Sequence, residues 1–163
     1  MPTPHIIRLR APWQLQALVR YGPVGSGELQ EQSADLPPAA KAEVPGDWTQ
    51  LLGADFFGRV RYSRSFNCPT NLDPNERVWL VCEGVDGTAD FTLNGTPIFA
   101  LAGAERSGSC DITSQLRPQN QLTVDVTLLP AGHAEHKPRA AGRAGLGGGI
   151  TGEVRLEIRH AAT

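Results

Sequence analysis

The sequence predicts an all-β chain, an antiparallel β-sandwich, on two observations. Apolar and polar residues alternate with a period of two in several separate runs, and turn-forming residues divide those runs. The stretch Val78 to Gly95 carries both signals. Val78, Leu80 and Cys82 fall on one face and Trp79 and Val81 on the other, so little of this strand tolerates water, and Trp79 is expected in the core. Asp86-Gly87 offers the positive-φ positions of a two-residue hairpin. The next run places Ala89, Phe91 and Leu93 inward and Asp90, Thr92 and Asn94 outward, until Asn94-Gly95 turns the chain again.

The remaining elements follow from the same period. Trp13, Leu15, Ala17, Val19 and Tyr21 alternate with Gln14, Gln16, Leu18 and Arg20 as a half-buried strand. Residues 22–45 are rich in Gly, Pro, Ala, Glu and Gln and read as a long surface connection, with a helical turn near Pro38 to Lys41. Asp47 is placed to cap a short helical turn through Leu52 that Gly53 stops. Val60, Tyr62, Arg64 and Phe66 share a face, which puts a guanidinium where alternation predicts burial. An unpaired buried charge costs several kcal/mol, so Arg64 is expected to be largely buried and paired with a carboxylate or several backbone carbonyls, in a structural rather than a ligand-binding role. Leu122, Val124, Val126 and Leu128 make one later face, and Val154, Leu156 and Ile158 another. The expected core is Val78, Leu80, Phe91, Leu93, Leu122, Val124, Val126, Val154, Leu156 and Ile158.

At 163 residues the chain suits one domain, 1–163. Its formal charge of -2 calls for neither nucleic acid nor an anionic membrane as partner. No run of apolar residues is long enough for a spanning helix, and Met1 to Arg10 does not read as a signal peptide. The three cysteines cannot all pair. Reduced thiols in a cytoplasmic protein are favoured over a disulfide, and an export signal would reverse that.

Six segments, in order, resemble the sugar-binding domain at the front of glycoside hydrolase family 2 enzymes. Leu9 to Trp13 with Leu15 is similar to its opening strand, and Val44-Pro45-Gly46-Asp47-Trp48 to its V-P-G-x-W segment. Phe57-Gly58 with Val60 to Phe66 is similar to its G-x-v-x-Y-x-R-x-F strand. Glu83 to Ala89 with Leu93-Asn94-Gly95 resembles E-G-V-x-x-x-A-x-V-x-L-N-G. Asp111-Ile112-Thr113, Leu116, Asn120 and Leu122 resemble D-I-T-x-x-L-x-x-x-x-N-x-L, and Gly148-Gly149-Ile150 with Val154 and Leu156 the closing strand. The resemblance implies a galactose-binding-like jelly roll. It also implies a module without its catalytic barrel, which alone takes about 250 residues, and hence no glycosidase activity. The Tyr and Arg of the family's G-x-I-Y-R motif are Thr151 and Gly152 here, which puts contact with such a barrel in doubt.

Candidates for chemistry are few. There is no G-x-S-x-G or Cys-x-x-Cys motif, and Gly147-Gly148-Gly149 opens a strand rather than a helix, against a phosphate cradle. His133 and His136 flank Glu135, but Pro130, Gly132 and Pro138 argue a solvated loop rather than a metal site. Asp86, Asp90 and Asp111 sit at turns or strand edges, where carboxylates satisfy backbone donors. No cofactor is expected; folds of the resembled kind leave room for a structural calcium, although no Asp-rich loop compels it. A sugar site needs apolar platforms for pyranose faces and planar polar groups for hydroxyls. Trp13 and Trp48 are candidate platforms because each lies beside turn residues, with a core anchor the competing role for Trp48. Asn94 is a candidate because the resemblance implies a loop reaching towards substrate, though making the hairpin would itself explain it. Arg139 is the candidate from the glycine-rich, basic segment 130–149, which reads as a flexible loop with function or plain disorder as the alternatives. The expected partners are carbohydrate and a glycan-processing enzyme. A protein-interaction or structural module that has lost the sugar site is the other reading.

Overall fold

The structure, a computed structural model, describes residues 4–10, 12–22, 31–102, 105–130, 139, 142–143 and 145–161. Two antiparallel sheets enclose one core. The smaller runs β1 (His5–Arg8), β11 (Val154–His160), β6 (Glu76–Cys82), β9 (Gly108–Asp111). The larger, seven-stranded, runs β3 (Glu31–Gln32), β2 (Trp13–Tyr21), β5 (Gly58–Asn67), β10 (Gln119–Leu128), β7 (Thr88–Leu93), β8 (Thr96–Leu101), with β4 (Ala40–Ala42) also on β2. This is the β-sandwich jelly roll that the alternation and the resemblance led us to expect. All ten expected core residues are buried, Ile158 being the most accessible at 8%. No described helix is long and apolar enough to cross a membrane.

The period-two reading of the strands holds at the level of single side chains. Along β5, Val60, Tyr62 and Phe66 are buried while Arg59, Arg61 and Ser65 are exposed. The outward row continues across the sheet, where Arg61 stands opposite Asp125 and forks onto it at 2.8 and 3.0 Å. Asn94 (φ 52°) and Gly95 (φ 84°) close the β7–β8 hairpin between Leu93 and Thr96, both in the left-handed region that this two-residue turn demands. The short helix α1 (Thr49–Leu52) follows Asp47, whose Oδ1 accepts the Thr49 N–H at 2.9 Å, and ends at Gly53.

Four expectations need correction. Asp86-Gly87 closes no hairpin: β6 and β7 belong to opposite sheets, and residues 83–87 carry the chain across the sandwich. Both runs bury an apolar face in the same core, one from each side, so their patterns alone resemble those of a paired hairpin. Gly87 (φ 118°) is needed there because a Cβ would stand 2.5 Å from the Thr127 carbonyl oxygen. Residues 38–41 form no helical turn; after Pro37-Pro38 the chain stays extended, and Ala40–Ala42 pair with Leu15–Trp13. Trp79 is half-buried on the outer face of the smaller sheet, under the Arg159 guanidinium 4.4 Å from its ring centroid. Arg64 is half-buried rather than largely buried; of the two pairings expected it has the backbone carbonyls, Nε donating to Arg10 O at 2.8 Å and Nη1 to Ser65 O, with no carboxylate partner among the described residues. Its strand register is as expected, but β5 reaches the mouth of a cleft at this point, so the guanidinium meets solvent.

Candidate functional site

Two polar constellations lie outside the strand ladders. The first surrounds Asp86, buried to 2%. Its carboxylate accepts Arg139 Nε and Nη2 at 3.2 and 2.5 Å and Arg143 Nε at 2.8 Å. Arg143 Nη1 reaches Asp47 Oδ2 at 3.0 Å, and both arginines donate onward to the Gly147 carbonyl. Burial pushes the Asp86 carboxyl up, but the hydrogen bonds and charges of Arg139 and Arg143 override it and hold it below the ordinary carboxylate range. Asp47 is lowered in the same way, burial being outweighed by Thr49 and Arg143.

This cluster ties the glycine-rich segment to the sandwich. Asp86 and Gly149 exchange backbone hydrogen bonds at 2.8 and 3.2 Å, and Gly147 N–H donates to Thr49 Oγ1 at 2.8 Å. Residues 147–149 pack so closely that a Cβ on Gly147 would stand 2.4 Å from the Trp48 ring, and one on Gly149 2.6 Å from the Tyr62 hydroxyl. The glycine run therefore serves close packing, and its backbone is already spoken for. Next to it, a Cβ at Gly152 would stand 2.3 Å from the Gly84 nitrogen, so arginine is sterically excluded where the family motif carries it.

The second constellation is an open cleft of about 780 Å³ beside the Asn94–Gly95 turn, walled by β1, β5 and the start of β10. Its floor is a closed amide network. Asn94 Nδ2 donates to the Gln115 carbonyl (3.1 Å) and Asn120 Oδ1 (3.0 Å), and Asn94 Oδ1 accepts the Gln121 N–H (2.9 Å). Asn120, buried to 3%, also accepts the Arg117 N–H and donates to the Arg117 and Phe66 carbonyls. The polar lining includes Arg8, Arg64, Asn67, Arg117, Gln119 and Gln121, and the apolar lining includes Ile7, Phe66 and Leu156.

The four residues singled out for sugar binding do not converge. Trp13 and Trp48 have no exposed surface. The Trp13 indole N–H donates to Leu9 O, that of Trp48 to Phe56 O, and Phe56 stacks edge-on against Trp48 at 5.9 Å. Neither can offer a platform: strand alternation buries Trp13, and the glycine run covers Trp48. Arg139 is consumed by Asp86. Asn94 does border the cleft, with its amide committed to holding the turn. Sequence reasoning missed Asn120, Gln121 and the Asp86 cluster. Asn120 had left a trace, an amide on the apolar face that continues as Leu122, Val124 and Val126.

His133, Glu135 and His136 lie outside the described residues. Among the described residues no three His, Cys, Asp or Glu side chains gather as a cation set. Asp47, Asp86 and Asp111 all face arginine or threonine donors, which does not fit calcium coordination. The three thiols are free, and burial pushes the Cys82 thiol up to about 11.

A family model described as the glycosyl hydrolase 2 galactose-binding domain-like family matches residues 54–162. No curated protein matches the chain. Among solved structures, a β-glucuronidase from Bifidobacterium dentium complexed with coumarin-3-O-glucuronide superposes with a TM-score of 0.72 at 21% identity, over 99% of this chain and 31% of that one. An FMN-binding β-glucuronidase from Faecalibacterium prausnitzii L2-6 gives 0.70 at 22%, over 97% and 23%. A β-galacturonidase from Eisenbergiella tayi bound to galacturonate gives 0.64 at 24%, over 96% and 25%. At these identities the likeness shows a shared fold. The chain spans between about a quarter and a third of the length of these proteins.

Proposed function

From its membership of the glycosyl hydrolase 2 galactose-binding domain-like family, to which this chain belongs, we propose that it acts as a non-catalytic carbohydrate-binding module whose saccharide contact is the cleft beside the Asn94–Gly95 turn. The cleft lining carries the reading. Asn67, Gln119, Gln121 and the Arg64 and Arg117 guanidinium groups supply planar donors and acceptors for hydroxyls, and the closed Asn94–Asn120 network holds the floor rigid. Of the lining itself, Arg64 is held by the Arg10 and Ser65 carbonyls and Gln121 by Ser65 Oγ, so these two side chains make hydrogen bonds with less ordering cost. With no well-exposed aromatic ring among the described lining residues, Phe66 being buried, affinity rests on hydrogen bonds that compete with water, and dissociation constants near 10⁻³ to 10⁻⁴ M, roughly 4 to 5.5 kcal/mol, are expected. We assign no catalysis, since the buried and half-buried aspartates 47, 86 and 111 are all engaged by arginine or threonine donors.

The activities of the similar β-glucuronidases and β-galacturonidase favour a glycan-processing protein as the partner. The other reading, a structural or protein-docking module without a sugar site, gains from the burial of Trp13 and Trp48. Isothermal calorimetry against neutral and acidic monosaccharides, each at tens of millimolar, separates the two. Millimolar binding of any of them supports the module proposed; silence from all, with the protein folded, moves the assignment to the docking module.

A further inference from the structure

Among the described residues, the cleft is lined by three arginines and no carboxylate. Elsewhere acids match several of the cations, Arg61 with Asp125, Arg77 with Asp111, Arg139 and Arg143 with Asp86, and Arg155 and Arg159 with Glu157, while Arg10, Arg20, Lys41 and Arg59 form no ion pair among the described residues. Within the cleft, Arg8 is matched by Glu153 at 2.9 Å from outside the lining. Arg64 and Arg117 differ, since among the described residues neither forms an ion pair. Arg64 is nevertheless held in place. Its Nε and Nη1 are anchored on the neutral carbonyls of Arg10 and Ser65, which fix the plane of the guanidinium without cancelling its charge. Beside it, Gln121 Oε1 accepts Ser65 Oγ at 2.7 Å, leaving the Gln121 amide nitrogen without a partner among the described residues.

Resting on the carbohydrate reading of this cleft, we propose that its ligand is an anionic saccharide, with a carboxylate or sulfate group received by Arg64 and Arg117 and hydroxyls by Gln119 and Gln121. A guanidinium fixed in plane and lacking a counter-ion is arranged for planar, charge-assisted pairing, which is stronger than a neutral hydrogen bond. Arg117 lines the same cleft, so a neutral sugar leaves both positive charges without a counter-ion there and an anionic one supplies it.

The test compares methyl β-D-glucuronide, glucose 6-sulfate, methyl β-D-glucoside and inorganic sulfate by calorimetry on the wild-type protein, Arg64→Ala and Arg117→Gln. The two anionic sugars are expected to bind at least about tenfold more tightly than the glucoside, as charged hydrogen bonds allow. That advantage should shrink as salt rises from about 50 to about 300 mM. Arg117→Gln alters an exposed side chain and should remove most of the advantage of the anionic sugars over the glucoside while leaving thermal stability unchanged, which covers the case in which Arg64→Ala fails to fold. Equal binding of glucoside and glucuronide leaves the carbohydrate module standing and overturns the anionic assignment. Inorganic sulfate binding as tightly as the sugar anions overturns it too, by showing a simple anion site. Silence from every sugar sinks both readings.

Discussion

Replacing Asp86 by alanine removes the carboxylate on which two guanidinium groups converge. The aspartate side chain is 3% exposed and its arginine partners 13% and 18%, so the three charges lie largely outside solvent. Breaking a buried ion pair by deleting one member costs about 3–5 kcal/mol. Arg139 would keep the Leu146 and Gly147 carbonyls, and Arg143 would keep Asp47. These retained acceptors and the residual exposure bring the expectation to about 2–4 kcal/mol. For a domain of this length that is a fall in melting temperature of roughly 4–16 °C. The pH dependence has a definite sign. Asp86 and Asp47 lie below the ordinary carboxylate range in the folded chain, because arginine and threonine donors outweigh the opposing effect of burial. Their stabilisation is fully present above the unfolded value of about 4 and is lost as pH falls through the lower folded values. The wild-type protein should therefore lose stability between about pH 5 and pH 2 more steeply than Asp86→Ala, and the two curves should converge in acid. Urea denaturation across that range measures both effects. A loss below about 0.5 kcal/mol at neutral pH, or parallel acid limbs, would refute the buried-latch argument.

Other perturbations follow from the same packing. Asn120→Ala orphans the Arg117 N–H and removes an acceptor from Asn94 Nδ2 beneath the cleft, and should cost about 2–3 kcal/mol by urea denaturation; a change of a few tenths would mean that water replaces the amide without loss. Gly148→Ala puts a methyl group 2.8 Å from the Asp86 carbonyl oxygen and 3.0 Å from the Trp48 ring, and should destabilise by about 1–3 kcal/mol in calorimetric melting; a neutral effect would show that the segment lifts freely off the indole. Cys82, buried with its thiol pushed up to about 11, should resist iodoacetamide at pH 8 while the half-buried Cys68 and Cys110 react. Equal labelling by mass spectrometry would contradict the placement of Cys82 in the core.

Much of this fold is legible in the sequence because strand burial repeats every second residue. The alternation from Trp13 to Tyr21, along β10 and along β11 specifies which side chains face inward without any knowledge of pairing partners. Pairing itself is another matter. Val78–Cys82 and Ala89–Leu93 carry apolar faces into one core from opposite sheets, a pattern locally indistinguishable from that of a hairpin, and the strand pairing alone reveals the crossover. The site was harder to read for a related reason. Trp48 looks available beside its turn until the glycine run, distant by about a hundred residues of chain, is laid across it. Arg139 looks like a free cation until Asp86 is brought to it. Arg64 was read correctly in register and incorrectly in burial, because where a strand meets a cleft depends on its neighbours β1 and β10 rather than on its own residues. Asn120 was the clearest trace available, a polar residue in an otherwise apolar row whose satisfaction had to be arranged by tertiary structure.

The central claim, that the cleft beside Asn94–Gly95 is the saccharide contact, is tested most directly by following backbone and side-chain amide NMR signals during titration with methyl β-D-glucuronide. Our account predicts saturable shifts confined to residues 64–67, 94–95 and 117–121, with the Asn and Gln side-chain amides among them, and no movement of Gly147–Gly149 or of the Trp13 and Trp48 indoles. Shifts centred on the Asp86 end of the sandwich, or none at all from a folded protein at tens of millimolar sugar, would contradict it.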